Sequence, residues 1–264
     1  MTDDSVVLEI DDGVATVTLN EPDRRNALST EISAGIRDAL AEIDGSDARS
    51  VVVEGAGGAF SAGGDIAAMR ERLDSDVPVD ERVRELERTT SETLARLTTF
   101  PLPTVAKVDG PAFGAGANLA IACDVQLASD EASIGFGFRQ VGLCVDAGTS
   151  YLLPRVVGEN VAKELVLTGE LVDAERALDL GLFNHVYPAD EFDDRVDEFV
   201  ERVATGPTVA LRHAKRLLGE GLDKSVQRAM SDEATAQGVV FETEDHAEGV
   251  AAFLADREPE FEGR

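Results

Sequence analysis

The spacing of hydrophobic positions changes several times along the chain, and each change marks an element. Residues 6–10 and 14–19 alternate as two strands joined at Asp11-Asp12-Gly13, a suitable hairpin turn. Pro22 and Asp23 end that pattern. Ile32, Ile36, Ala39, Leu40 and Ile43 recur three or four apart and predict a helix over residues 30–43. Residues 50–53 form a continuous apolar run, as in a strand covered on both faces. A glycine-rich stretch, Gly55 to Gly64, leads from it into a short helix over 65–69, and residues 70–80 are polar.

The periodicity next predicts a helix over 80–97, ended by Pro101 and Pro103, and a buried strand over 104–108. Gly110-Pro-Ala-Phe-Gly-Ala-Gly116 then opens an apolar helix reaching Cys123, and 125–128 read as another strand. Strand, glycine turn and helix thus occur twice, with Gly64 and Ala115 at corresponding points. Beyond Gly148 the pattern is helical over 148–157, 160–167, 173–180, 191–204, 208–218 and from 222 onward, with a short strand at 185–187. The helices after 191 have acidic outer faces. Residues 1–190 therefore read as an α/β core and 191–264 as a helical region suited to assembly.

Composition narrows the possible partners. Hydrophobic residues make up 43% of 264, enough for a substantial core. Acidic residues outnumber basic ones 52 to 24, a net charge of −28 spread along the whole chain. Such a field repels nucleic acid and anionic membranes. It suits solubility at high salt, where the Debye length shrinks to about 3 Å near 1 M, and points to a salt-loving host. Cys123 and Cys144 lie in apolar runs and are expected as two buried thiols in a reducing cytoplasm. No secretory leader and no spanning stretch is legible, so a cytoplasmic location is expected.

Neither glycine turn contains a dinucleotide or P-loop fingerprint. Each still presents unpaired N–H groups at a positive helix end, which suits an oxyanion. The same glycines could equally serve tight turns and close packing. His185, His213 and His246 are isolated, and no spacing matches a zinc site. Ser61 has no histidine partner and no GxSxG setting. Asp146 follows the apolar run 141–145 and precedes a helix start. It reads either as a helix cap or as a desolvated acid able to move protons.

Residues 19–28, 59–66 and 109–118, with Val166-Leu-Thr-Gly169 and Ala177-Leu-Asp-Leu-Gly-Leu182, resemble the crotonase (enoyl-CoA hydratase/isomerase) superfamily over nearly the whole chain. The resemblance implies an α/β spiral of ββα units with a helical C-terminal region that builds trimers or dimers of trimers. It implies an acyl-CoA thioester substrate whose enolate oxygen is held by the N–H groups of Gly64 and Ala115. No separate cofactor is implied, since coenzyme A is part of the substrate. Coenzyme contacts are expected at Ala62, Asp65 and Ile66 for the adenine, with Arg24, Arg25 and Ala27 near the pantetheine and phosphates. Residues 70–90 would form a lid over the acyl pocket.

The departures from the family pattern carry the functional reading. Asn118 stands where hydratases place one glutamate, and Phe138 where they place the other. An asparagine can orient a group but carries no proton at neutral pH. Asp146 remains, in a segment resembling that of dienoyl-CoA isomerases and, with its Leu-Leu-Pro-Arg155 ending, the phenylacetate-pathway isomerase. Asp146, Gly64, Ala115 and Asn118 are thus the expected catalytic set, with Phe138, Leu143 and Val145 excluding water. An acyl-CoA isomerase acting on a double bond or ring epoxide is the leading expectation. An enoyl-CoA hydratase of β-oxidation and a non-catalytic acyl-CoA-binding subunit are the alternatives.

Overall fold

The hairpin turn closes as its residues allow: Asp12 and Gly13 both take positive φ, at 45° and 77°. Across it β1 (Val6–Asp11) pairs antiparallel with β2 (Val14–Leu19), Val6 opposite Leu19. The computed structural model describes residues 5–73 and 75–264. Helix α1 (Thr30–Asp44) starts at Ser29, whose Oγ accepts the Ile32 amide at 3.1 Å, and buries Ile32, Ile36, Leu40 and Ile43. It returns the chain to β3 (Ser50–Gly55), which lies parallel to β2.

Three helical pieces follow: α2 (Ile66–Leu73), α3 (Val79–Leu86) and α4 (Glu92–Thr98). The sequence predicts one continuous helix over 80–97. Instead a π-helical turn, Glu87–Ser91, separates α3 from α4. Arg37 stabilises it by donating to the Thr89 carbonyl at 3.3 Å and to Thr93 Oγ1 at 2.7 Å. A long-range partner thus sets a local irregularity that periodicity cannot show.

The remaining strands complete two sheets. In the larger, β4 (Thr104–Val108), β6 (Val125–Ser129) and β9 (His185–Tyr187) extend the order to β1-β2-β3-β4-β6-β9, parallel from β2 onward. In the smaller, β5 (Pro111–Phe113), β7 (Ser133–Gly135) and β8 (Leu171–Asp173) pair in that order. Periodicity predicts none of these three strands, because three residues are too few to show a period. Helix α5 (Ala115–Ala122) bridges the second glycine turn and β6, and all eight of its residues are buried.

Helices α6 (Thr149–Val157), α7 (Glu159–Thr168) and α8 (Ala174–Leu180) pack around this core, α8 capped by Asp173 Oδ1 on the Arg176 amide. Helix α9 (Phe192–Ala204) buries Phe192, Val196 and Val200 against Val52, Val105 and Leu127 of the large sheet. The first helix after residue 191 thus covers one face of the large sheet. Helices α10 (Thr208–Gly221), α11 (Val226–Val240) and α12 (Glu244–Leu254) follow, and they leave Leu218, Met230, Phe253 and Leu254 exposed in the single chain. No described helix is long and apolar enough to cross a membrane.

The cysteine expectation needs correction. Cys123 is buried, and burial pushes its thiol up to about 12. Cys144 is exposed, because the chain leaves the core between Val141 and Cys144.

Candidate active site

The two glycine turns fold against each other. Ser61 N donates to the Pro111 carbonyl at 3.2 Å, and Phe113 N donates to the Ser61 carbonyl at 2.9 Å. Glycine is required where they touch: a Cβ on Gly63 would overlap the Phe113 carbonyl, and one on Gly116 would overlap the Ser61 carbonyl. Close packing and the presentation of amides are therefore one device. With the turns so packed, the amides of Gly64 and Ala115 have no protein acceptor among the described residues. The Ala115 amide is the first of α5, following Gly114 at φ 56° and ψ −121°. Both sit at positive helix ends, where a developing negative charge is stabilised.

Two cavities meet at these amides. The larger, about 590 Å3, lies under α2, α3 and the π-helical turn and has polar walls that include Arg24, Glu31, Arg72, Glu85 and Thr90. The smaller, about 100 Å3, is walled by Ile66, Phe113, Phe138, Val141 and Leu143. Gly64, Met69, Ala115 and Asp146 line both. Asp146 is the only acid among the residues lining the smaller cavity. Its surface is exposed, yet it sits in a concavity, and the protein around it displaces enough water to raise its carboxyl pKa above the ordinary aspartate value. Its carboxylate has no hydrogen-bond partner among the described residues.

The structure brings some expected coenzyme residues to the cavities and leaves others outside. Ala62 and Ile66 line the smaller cavity, Arg24 and Asp65 the larger. Arg24 is engaged within the chain, pairing with Asp65 and with Glu21. Asp65 Oδ1 also caps α2, accepting the Ala67 amide at 3.0 Å and the Ala68 amide at 3.2 Å. Desolvation alone would push the Asp65 carboxyl up; the Ala68 amide and the Arg24 guanidinium overcome it and hold it below the ordinary value. Arg25 and Ala27 line neither cavity. Arg25 is exposed at φ 49°, and its carbonyl accepts the Ala62 amide at 2.8 Å; Ala27 is buried.

Asn118, expected in the catalytic set, lies apart from the cavities. Its side chain is fully buried and lines neither cavity. Nδ2 donates to the Asp146 carbonyl at 3.1 Å and to Thr149 Oγ1 at 2.8 Å. It supports the turn that carries Asp146 instead of facing the cavity. Val145 likewise packs against the core and lines neither cavity, whereas Phe138 and Leu143 do line the smaller one.

Two supporting residues escape the sequence reading. Asn26 is fully buried at φ 53°, and its Nδ2 donates to the Ala56 and Ala59 carbonyls, each at 2.8 Å. Ser61 Oγ donates to the Asn26 carbonyl at 2.7 Å, which ties the loop before α1 to the first glycine turn. Asparagine's tolerance of the left-handed region was the available signal. Thr149 is the second, buried at the start of α6. None of His185, His213 and His246 lines either cavity.

The enoyl-CoA hydratase/isomerase family model matches residues 9–264. A Thermus thermophilus protein provisionally named an enoyl-CoA hydratase is 40% identical over 94% of this chain and 97% of its own length. The 1,2-epoxyphenylacetyl-CoA isomerase of Escherichia coli is 32% identical over 98% of each chain. Among solved structures, an enoyl-CoA hydratase from Bacillus anthracis superposes with a TM-score of 0.91 at 29% identity, covering 98% of this chain and 100% of that one. The crotonase spiral is therefore the fold, α/β with a C-terminal helical region. With paired free amides at Gly64 and Ala115 and a match over almost the whole chain, this protein belongs to the enoyl-CoA hydratase/isomerase family.

Proposed function

We propose that the protein is an acyl-CoA isomerase that moves a proton with Asp146 while a thioester enolate is held by the Gly64 and Ala115 amides. The observation carrying this reading is that Asp146 is the only acid among the described residues lining the apolar cavity beside those amides. For a 3-enoyl-CoA, the Asp146 carboxylate removes a proton from the α carbon and the electron pair moves onto the thioester oxygen. The resulting dienolate is stabilised by the two N–H donors, each worth about 3 kcal/mol in such sites. The protonated carboxyl then returns the proton to the γ carbon, which leaves a 2-enoyl-CoA and the starting carboxylate. Phe138 and Leu143 disfavour water addition by keeping that side of the site apolar.

A hydratase reading has specific support of its own. The larger cavity has polar walls, reaches the same carboxylate and has room for water, and the Bacillus anthracis neighbour is described as an enoyl-CoA hydratase. The two readings separate on substrates. Under the isomerase reading, purified enzyme in molar salt converts a 3-enoyl-CoA faster than it hydrates crotonyl-CoA, and Asp146→Asn abolishes the conversion. Undiminished isomerisation by Asp146→Asn overturns the role given to Asp146. Fast crotonyl-CoA hydration with slow isomerisation promotes the hydratase. We also propose that the exposed apolar residues of α10 to α12 join copies of the chain into a trimer or a dimer of trimers, to be read by light scattering.

A further inference from the structure

We infer that Asn118 and Thr149 are positioning residues that place the Asp146 carboxylate by holding its backbone in a strained turn registered to the oxyanion amides. The inference rests on the reading of Asp146 as the acid–base group. Its starting point is that no protein hydrogen bond orients the Asp146 carboxylate among the described residues. Its direction then depends on the backbone that carries it.

That backbone is a tight turn, Asp146-Ala147-Gly148-Thr149, closed by the Thr149 amide on the Asp146 carbonyl at 2.9 Å. Ala147 lies at φ 48° and Gly148 at φ 81°. Alanine disfavours that region, so the surroundings must impose it. They do so from below. Thr149 Oγ1 lies 2.8 Å from the Asp146 carbonyl and 2.9 Å from Asn118 Oδ1, and Asn118 Nδ2 donates to both the carbonyl and the hydroxyl oxygen. Asn118 and Thr149 are 0% and 1% exposed, so water does not compete for these bonds.

The location of Asn118 gives the clamp its purpose. It stands one helical turn after Ala115 on α5, the buried helix whose first amide is an oxyanion donor. One rigid helix therefore carries the N–H that holds the enolate and the amide that holds the acid's turn. The acid is referenced to the oxyanion directly, without passing through the exposed segment 141–144. A shift of the turn moves the carboxylate relative to the reacting carbon, and such misplacement costs about 100-fold in rate per ångström.

The test compares Thr149→Val, which keeps the shape and loses the hydroxyl, with Thr149→Ser, which keeps it. Asn118→Leu, which keeps the approximate volume and loses the amide, is measured alongside. On a 3-enoyl-CoA, Thr149→Val and Asn118→Leu are each expected to lower kcat about 30-fold with KM within about 2-fold. The acid limb of kcat should move toward the ordinary aspartate value as water reaches the carboxylate, while Thr149→Ser stays near the parent. The other titratable groups sharing the larger cavity are Arg24, Glu31, Asp65, Glu71, Arg72 and Glu85, and among the described residues none of them hydrogen-bonds or ion-pairs with the turn. Parental kcat and pH profile in folded Thr149→Val and Asn118→Leu, with Asp146→Asn inactive, overturn this inference alone. An active Asp146→Asn overturns the acid–base reading, and this inference with it. Should Thr149→Val fail to fold, Asn118→Leu decides by the same readouts.

Discussion

Gly63 and Phe113 meet backbone to backbone: a methyl group on Gly63 would run into the Phe113 carbonyl and stand 3.1 Å from the Ala115 amide nitrogen. Gly63 also sits at φ 85°, where an L side chain is strained. The residue before the Gly64 amide thus abuts the turn that carries the Ala115 amide. Gly63→Ala is expected to destabilise the fold by about 3 kcal/mol, combining overpacking with the φ penalty. It should also lower kcat/KM at least 100-fold, because the spacing of the two donors must open. Chemical denaturation and steady-state kinetics check both; parental values in both would show that the turns do not need this contact.

Asp65 joins the N-terminus of α2 to Arg24. Asp65→Asn should keep the cap and weaken the ion pair, whereas Asp65→Ala loses both. The alanine variant is therefore expected to be about 1 kcal/mol less stable than the asparagine variant. Hydrogen exchange in residues 66–73 should quicken only in the alanine variant. Equal exchange in the two would place the fastening of α2 elsewhere.

The pH dependence of turnover follows from Asp146. Desolvation raises its carboxyl above the ordinary 3.8, and in the proposed mechanism the working base is the deprotonated form. Activity should fall as pH drops through a midpoint above 3.8. A kcat profile with its acid limb at or below 3.8 counts against the assignment. The same shift has a sign for stability: the folded state holds this proton more tightly than the unfolded chain, so the carboxylate opposes folding as pH rises through that interval. Asp146→Asn should accordingly raise Tm at neutral pH while removing activity.

Glu248 behaves oppositely. Arg257 donates to both its oxygens, at 2.6 and 2.8 Å, and the Glu260 amide adds a bond at 2.9 Å. The Arg257 hydrogen bond is the main cause of a carboxyl held down to about 2 from the ordinary 4.5. A depressed carboxyl contributes stability above 4.5, and that contribution is lost as pH falls toward 2. The segment after α12 should therefore detach in that window, earlier in high salt because the group is exposed. Limited proteolysis across the acid range reads this, and Glu248→Gln should remove the pH step.

Much of the architecture was legible in the chain itself. Period-three-and-four spacing located α1, continuous apolar runs located β3 and β4, and β9 was read at residues 185–187. The motifs around Gly64 and Ala115 identified the family, because glycine is needed wherever backbones touch and such positions leave a fixed local signature. Asn118 and Phe138, where the resemblance implies hydratase glutamates, were equally visible in the sequence.

What only the tertiary structure decided depends on contacts between distant segments. Strands β5, β7 and β8 exist because three short stretches lie side by side, and no single stretch has a period of its own. The π-helical turn depends on Arg37, reaching from α1. Cys144 is exposed although its neighbours are apolar, because solvent access is a property of the fold and not of the run. Asn118 shows the difference most clearly. The sequence determined that it could orient but carry no proton, while its partner, the turn beneath Asp146, follows from how α5 packs against the start of α6.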